Sequence, residues 1–547
     1  MSADLIFTGG KIWTGVPQRP FVQALAVSDG DILAVGSDSD IEPLRGPGKH
    51  HIALDGAFAM PGIIDGHNHV LEGVRGQTFE LQLGADLDFA AILDRVRAQA
   101  AKSGPRDWII GGPFLIARCP QTQTAEGRVL LDEACGGRPV LLRDVTFHSR
   151  LASSEALRRA GIDRKSVDPP NGVIVRDAAG EPTGLLHESA ANALEAAAPM
   201  LSPEQWMTVG RNAMALLNGL GVTGFGLAAA SGTTLGALKA MDEAGILTAW
   251  AAGFCMMEPL LLAIERDCVG PDLIARRHEF ATKHLRVDFA KFFMDGVPLM
   301  RTAAFVEPYL PDGVHPKGFR GHSAYGVADL AERIAPLDAA GISVKIHTIG
   351  DAAIRDALDA FADVRRRNGP GPRHSLAHML YIRPEDVPRL AALNVIADLN
   401  PPVWFPNPNM TALRAALGDA RVDRSWPMRD ILASRALAAT GTDWPALAPT
   451  PSPWPGLSAL ITRRDPSGRT PGVHRADQAL TLEETLPLFT SNAAETLGLS
   501  HETGRLAPGL SADMIVLDRD LFSIPPQEIA GTQVRQTWFE GRLVYES

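Results

Sequence analysis

Two histidines separated by one residue are the first feature of this sequence whose type and spacing suit metal chemistry. His67 and His69 follow the short apolar run Ile63–Ile64, which comes directly after a Pro-Gly turn signal at 61–62. Residues i and i+2 of a β-strand point to the same face, so both imidazoles would converge at the end of a strand. Neutral imidazole is a good ligand for zinc and similar divalent metals. The alternative is a pair of surface histidines in a loop.

Four further residues lie at the end of a predicted strand or open one. They are Lys291, His347, His378 and Asp443. Each has an ordinary explanation when taken alone: a lysine can extend its amine to the surface, a histidine can be a core or surface residue, and an aspartate can cap a turn or a helix. With the histidine pair, however, they fall in order on strands one, four, five, six and eight. Independent surface residues would not be expected to do so, and we therefore interpret them as one constellation.

The rhythm of the middle of the chain predicts the element that positions this constellation. Apolar, strand-like runs alternate with helical patterns such as those of residues 327–340 and 352–361, and eight strands end near residues 69, 226, 254, 295, 347, 378, 400 and 443. Eight strands is the number in a (β/α)8 TIM-like barrel, whose active sites lie at the C-terminal ends of its strands. The gap of about 150 residues after the first strand exceeds one unit. We therefore interpret residues from about 75 to 200 as an insertion on the catalytic end, and as a candidate substrate cap.

Both ends of the chain carry a different pattern. Short β-like runs separated by glycine turns occupy residues 4–8, 24–27 and 32–35 at one end and residues 512–518 and 536–544 at the other. We predict that residues 1–59 and 500–547 form one small composite β-sandwich domain. The remaining residues, 60–499, would form the barrel with its insertion, and the fold class would be α/β.

The composition is that of an ordinary globular protein. Of the 547 residues 45% are hydrophobic and 21% are charged, and the net charge of −11 argues against nucleic acid, which would call for a basic patch. No run reaches the roughly 18 apolar residues that a membrane span needs, and no export signal is recognised. The four widely spaced cysteines are interpreted as reduced core residues. We expect a cytoplasmic protein with a small-molecule substrate, no nucleic-acid or membrane partner, and a homodimeric or higher homo-oligomeric state.

Longer stretches around these residues resemble the amidohydrolase superfamily, and specifically amidohydrolase family 3, the branch that includes N-substituted formamide deformylases. The resemblance extends over essentially the whole chain. Two positions depart from the family pattern: Ser511 replaces the usual lysine, and the stretch after His148 lacks the usual asparagine. The matching motifs are Pro-Gly-Ile-Ile-Asp-Gly-His-Asn-His (61–69), Gly-Glu-Pro-Thr-Gly-Leu-Leu-His-Glu (180–188), Lys-Phe-Phe-Met-Asp-Gly (291–296), Arg-Thr-Ala-Ala (301–304), His-Thr-Ile-Gly-Asp-Ala-Ala (347–353), 374–378, Gly-Thr-Asp-Trp-Pro (441–445) and 504–513.

This resemblance implies a metal-dependent hydrolase that cleaves a non-peptide C–N bond of amide or formamide type. Lys291 would be carboxylated by carbon dioxide, because a desolvated lysine is neutral and two cations stabilise the resulting carbamate. A metal-bound water would lose its proton and become the nucleophile, and Asp443 would take up that proton and return it to the leaving group. One or two divalent ions, expected to be zinc, would be surrounded by His67, His69, Lys291, His347, His378 and Asp443.

Substrate contacts are expected from residues that follow the strands. Trp404, Phe405 and Trp444 come after strands seven and eight and could line an apolar pocket, with ordinary core packing as the alternative. Arg301 follows strand four and could orient a polar or anionic group, and the segment 297–322 could form a mobile lid. Cyclic amides, esters or lactones are alternative substrates, because the same nucleophile attacks any activated carbonyl. A non-catalytic metal-binding barrel is the alternative of a different class.

Overall fold

A barrel of eight parallel strands lies at the centre of the molecule. The computed structural model describes residues 2–259, 268–400, 405–407, 409–448 and 450–547. Each barrel strand is hydrogen-bonded to the next in chain order, so the predicted α/β barrel is confirmed. The strands are β1 (Ile63–Asn68), β2 (Val222–Ala230), β3 (Trp250–Met256), β4 (Leu285–Phe293), β5 (Ser343–Thr348), β6 (Ser375–His378), β7 (Ile396–Leu399) and β8 (Ala438–Thr440).

The register of these strands collects polar side chains at one end of the barrel. Lys291 on β4 lies opposite Lys345 on β5, and Thr348 at the end of β5 lies opposite His378 at the end of β6. Because all eight strands run in the same direction, their C-terminal ends meet at one rim. The junction between β8 and β1 is bridged just beyond β8, where the N–H of Asp443 donates to the carbonyl of His67 at 2.8 Å.

Amphipathic helices surround the barrel. The helix after β5 buries Ile354, Leu358 and Phe361, which recur at helical spacing on one face. None of the described helices has the length and apolar character that crossing a bilayer would require. The α-helices of the barrel region are Val70–Phe79, Pro203–Gly219, Gly232–Glu243, Pro271–Arg276, Val327–Ala339, Asp351–Asn368, Val387–Ala392, Met410–Leu417, Asp419–Asp423, Met428–Ala433, Pro453–Thr462, Leu482–Thr485 and Ser491–Thr496.

The insertion between β1 and β2 has a sheet of its own with an apolar cluster on each face. Leu142 belongs to one cluster and its neighbour Leu141 to the other, as the alternation of side chains along a strand requires. Helices Phe89–Ala100 and Ala125–Cys135 contribute to the first cluster, and Ser154–Arg159 and Asn192–Ala197 to the second. In spatial order the strands are Gly172–Arg176, Pro182–Glu188, Ser149–Ala152, Val140–Asp144, Ile109–Phe114 and Leu81–Gln82.

A β-sandwich is built from both ends of the chain. Phe7 of one sheet packs edge-to-face on Trp538 of the other, with ring centroids 4.9 Å apart, and both lie in a shared apolar cluster. The strands of the first sheet are, in spatial order, Asp31–Gly36, Ala24–Ser28, Ala3–Thr8 and Arg45–Ala53. The short helix Asp38–Ile41 follows the first of these strands in the chain. The second contains Arg542–Glu546, Val534–Phe539, Met514–Leu517, Phe58–Pro61, Lys11–Trp13 and Phe21–Val22.

Candidate active site

Three of the six predicted metal ligands converge closely at the C-terminal rim of the barrel. The potential ligand atoms of His67, His378 and Asp443 all lie within 4.8 Å of one another. Asp443 Oδ1 is 3.4 Å from Nε2 of His67 and 3.3 Å from Nε2 of His69, and its Oδ2 is 3.9 Å from Nδ1 of His378. The carboxylate therefore stands between three imidazoles, which is a suitable arrangement for holding a divalent ion.

The end of β8 is fixed to β1 by hydrogen bonds that do not involve the Asp443 side chain. Thr442 donates its backbone N–H to Asp65 Oδ1 at 2.8 Å and its hydroxyl to Asp65 Oδ2 at 2.6 Å. Burial raises the pKa of Asp65 to about 6, against the lowering effect of these bonds. Asp443 itself adopts a left-handed backbone conformation, with φ of 56°. The bonds to Asp65 and to the His67 carbonyl thus place the Asp443 carboxylate beside the histidines.

His347 and Lys291, like His69, line the same cavity. His347 stacks on Phe293, with ring centroids 5.0 Å apart, and its ring lies 4.5 Å from that of His378. Lys291 is 1% exposed, and its ammonium lies 4.8 Å from the centroid of the Phe293 ring. Burial, and secondly the positive charge of Lys345, lower the pKa of Lys291 to about 7. A substantial neutral fraction of this amine therefore exists near neutral pH.

The protonation state of the histidines fits metal binding. Burial is the main cause that lowers the pKa of His69, and it lowers the pKa of His67, His347 and His378 well below its usual value. Neutral imidazoles offer a nitrogen lone pair to a metal. Among the described residues, no hydrogen-bond partner exists for the buried atoms His67 Nε2, His69 Nδ1 and His347 Nε2. Buried polar atoms are normally paired, so these nitrogens, of which His67 Nε2 lies 3.4 Å from Asp443 Oδ1, fit a site built for a metal ion.

The insertion forms part of the cavity wall. Thr146, Phe147 and His148 line the cavity together with the metal-ligand candidates. His148 Nδ1 lies 2.8 Å from Glu188 Oε2, and its ring centroid is 5.3 Å from that of His347. Burial is the largest single influence and opposes protonation of His148. The charge and hydrogen bond of Glu188, together with the charges of Asp144 and Asp443, outweigh burial and raise the pKa of His148. The insertion therefore reaches the C-terminal rim of the barrel, and its role as a substrate cap stays a prediction.

The residues predicted to contact substrate are placed differently from the metal ligands. Arg301 donates a hydrogen bond to the carbonyl of Leu310 at 2.7 Å and forms an ion pair with Asp312 at 3.0 Å. It is not among the described residues that line the cavity. The Trp444 ring packs directly on Gly73 of the helix after β1: a Cβ added to Gly73 would lie 2.1 Å from the Trp444 ring. Phe405 is buried but is also absent from the described cavity wall, and Trp404 lies outside the described residues.

Other residues that line the cavity were not found by sequence reasoning. Trp426 and Asn400 are buried and form part of its wall, alongside apolar side chains from several loops. Trp426 follows a long segment after β7 and has no distinctive motif. Asn400 comes directly after β7 and is therefore at a position where barrel enzymes place functional groups. The apolar residues of the wall include Val297, Leu299, Ile349, Leu380, Leu413 and Leu447.

A buried ion pair beneath the histidines was also missed. Lys345 lies two residues before His347 on β5 and therefore faces the barrel interior like that histidine, which is a signal that the sequence contained. Its Nζ is 2.7 Å from Asp398 Oδ2 on β7. The same carboxylate oxygen lies 2.7 Å from Nδ1 of His67.

Comparison with known proteins places this site in a family. A sequence model of the amidohydrolase family, in its family 3 branch, matches residues 51–545. The chain therefore belongs to the amidohydrolase family. The resemblance inferred from the motifs is thereby confirmed.

Two relatives match this chain over nearly their full length. YtcJ of Bacillus subtilis is 28% identical over 544 residues, which is 99% of each chain. An N-substituted formamide deformylase of Arthrobacter pascens is 26% identical, over 99% of this chain and 98% of its own. The fold matches the crystal structure of a metal-dependent hydrolase from Pyrococcus horikoshii with a TM-score of 0.73, at 21% identity, over 95% of this chain and 99% of that one.

Proposed function

We propose that this amidohydrolase cleaves a non-peptide C–N bond of amide type, with an N-substituted formamide as the substrate class to test first. The observation that carries the proposal is the convergence of the ligand atoms of His67, His378 and Asp443, within 4.8 Å, beside a largely apolar cavity. The Arthrobacter relative named as an N-substituted formamide deformylase supports the choice of substrate class.

The donor set supports zinc as the metal, because imidazole nitrogens and carboxylate oxygens are its usual ligands. We propose that His67, His69, His347, His378 and Asp443 hold one or two ions, together with Lys291 in carboxylated form. A divalent ion held there would lower the pKa of a bound water and polarise a carbonyl group.

Asp443 is the residue best placed to move protons. Its side chain is 18% exposed, whereas that of His67 is 1% exposed, so the carboxylate reaches the cavity while the imidazole remains packed. In the proposed reaction an Asp443 carboxylate oxygen accepts a proton from the attacking water and then delivers it to the leaving nitrogen. Protonation of that nitrogen is required because an amide anion is a poor leaving group.

The cavity wall supports an uncharged, partly apolar substrate. Leu299, Leu380 and Leu413 would contact the apolar portion of such a molecule, and no lysine or arginine other than Lys291 belongs to the described lining. His148, held by Glu188 through Nδ1, would present its other ring nitrogen to a polar atom of the substrate.

The test is hydrolysis by purified, zinc-loaded protein of matched compounds that share one apolar group: an N-substituted formamide, an N-substituted acetamide, a lactam, a lactone and an ester. We expect turnover of an open-chain amide, loss of turnover after chelation, and recovery on adding zinc. Turnover of only the lactone and ester would favour the alternative hydrolase. Tight metal binding without hydrolysis of any compound in the set would favour a non-catalytic barrel. No metal at all would contradict the proposed function.

A further inference from the structure

A buried ion pair lies beneath the candidate metal site, and its carboxylate also contacts His67. Lys345 and Asp398 are each 3% exposed, and Lys345 Nζ lies 2.7 Å from Asp398 Oδ2. We infer that this pair is a positioning device that holds His67 in the orientation and tautomer needed for metal binding. The inference rests on the proposed metal-dependent function and extends it to two residues outside the ligand set.

The first step concerns the two nitrogens of His67. Nδ1 lies 2.7 Å from Asp398 Oδ2, and Nε2 points to the Asp443 side, 3.4 Å from Oδ1. A carboxylate can only accept a hydrogen bond, so Nδ1 must carry the proton in this contact. The lone pair of the neutral ring is then on Nε2, which faces the metal-ligand candidates. A carboxylate behind a metal-binding histidine orients the ring in this way and increases its basicity.

The second step explains why Asp398 can remain charged in the barrel interior. An isolated buried carboxylate would be very costly, and Lys345 supplies the opposite charge. Lys345 extends inward from β5 and also donates to the carbonyl of Gly66, the residue before His67, at 2.9 Å. Its ammonium lies 4.1 Å from the centroid of the Phe254 ring. The lysine therefore contacts both the orienting carboxylate and the backbone beside the histidine.

The third step compares His67 with the other histidines of the site. Among the described residues, His69 and His378 approach a carboxylate only at Asp443, and His347 forms no ion pair. His67 alone in this group has a second carboxylate on the nitrogen that faces away from Asp443. An ion pair that served only the stability of the barrel would not need to share one oxygen between the lysine and this imidazole.

The test uses a double variant, Asp398→Asn with Lys345→Met, which removes both buried charges at once and leaves neither unpaired. The readout is the zinc dissociation constant of the apo-protein, measured by competition with a chromophoric chelator. Because removal of such an outer partner typically weakens metal binding 10–100-fold, we expect a loss of about that size. Asp398→Asn alone carries the same expectation for zinc affinity; because it leaves the Lys345 ammonium without its carboxylate, circular dichroism of the apo-protein is recorded on the same samples.

A matched control separates positioning from general destabilisation. Asp338 and His374 form another buried carboxylate–histidine pair, with Oδ1 3.0 Å from Nε2, and neither belongs to the proposed site. Asp338→Asn should lower the thermal midpoint of the apo-protein and leave the zinc dissociation constant within about threefold of wild type. Equal zinc affinity in wild type and in both Asp398 variants would overturn the inference while leaving the proposed function intact. If wild type binds no zinc, the proposed function fails and this inference fails with it.

Discussion

Replacement of Asp443 by asparagine tests the proposed proton transfer most directly. The backbone of Asp443 is fixed by its N–H bond of 2.8 Å to the His67 carbonyl and by the Thr442–Asp65 bonds. None of these contacts uses the Asp443 side chain. Asparagine has nearly the same size, so Asp443→Asn should keep the geometry of the β8 end and remove only the charge and the basic oxygen.

The expected effect is large in kcat. Acid–base groups typically contribute 10²–10⁴-fold, so we expect kcat on an amide to fall at least about a hundredfold, which corresponds to roughly 2.7 kcal/mol in the barrier. An ester with the same acyl group has a better leaving group and depends less on its protonation. The fall for the ester should therefore be smaller than the fall for the amide.

The assay is steady-state hydrolysis of the matched amide and ester by both proteins, with zinc content measured on the same samples. Asp288→Asn is a suitable control, because this exposed carboxylate on β4 pairs with Arg277 at 2.7 Å and lies outside the cavity wall. It should retain kcat within about twofold. Near-wild-type amide turnover by metal-loaded Asp443→Asn would show that another group carries the proton, and the proposed mechanism would be wrong.

Three further predictions concern the metal ligands and the barrel junction. The double variant His67→Ala, His69→Ala should lose zinc but keep its far-ultraviolet circular dichroism; full zinc occupancy by elemental analysis would refute the ligand assignment. The pKa of Lys291 is lowered to about 7, so about nine-tenths of the amine is neutral at pH 8 and about one-tenth at pH 6. At a fixed pressure of ¹³CO₂, the Lys291 carbamate should form about tenfold faster at pH 8 than at pH 6, as followed by ¹³C NMR. Absence of the carbamate signal in active protein would exclude carboxylation. An added Cβ on Gly441 would lie 2.2 Å from the His67 backbone nitrogen, whereas nothing lies within 4 Å at Gly326. Urea unfolding should therefore show that Gly441→Ala lowers the free energy of unfolding by about 1–3 kcal/mol and Gly326→Ala by less than about 1 kcal/mol. Equal losses in the two variants would show that crowding at Gly441 is not the cause.

The main elements of the fold follow from patterns that act over short distances. The strand ends could be counted because apolar runs alternate with helical periodicity, and parallel strands deliver whatever follows them to one rim. For this reason His67, His347, His378 and Asp443 could be grouped before any coordinates were known. The internal sheet of the insertion had no comparable signal, because its strands are separated by irregular segments and pair out of chain order.

The substrate side of the cavity was harder to predict, because contacts there depend on the packing of loops. Arg301 and Trp444 lie near the constellation in the chain, but Arg301 is engaged by Asp312 and Trp444 fills the space above Gly73. Lys345 could have been noticed, because it lies two residues before His347 on β5, but its pairing with Asp398 on β7 leaves no spacing pattern in the sequence. Whether the six predicted ligands bind metal stays a prediction that the experiments above address.

The mixed origin of the β-sandwich has a consequence for how the protein is made on the ribosome. Phe58–Pro61, immediately before β1, pairs with Met514–Leu517, which lies about 450 residues later in the chain. At roughly 5–20 residues per second, that partner emerges about 20–90 seconds after β1. Until then this strand lacks one of its neighbours, and its unpaired backbone is a possible partner for other chains. Chaperone capture and slow translation near the 3′ end of the message should therefore affect the yield of this protein more than that of a barrel whose first strand finds all its partners early.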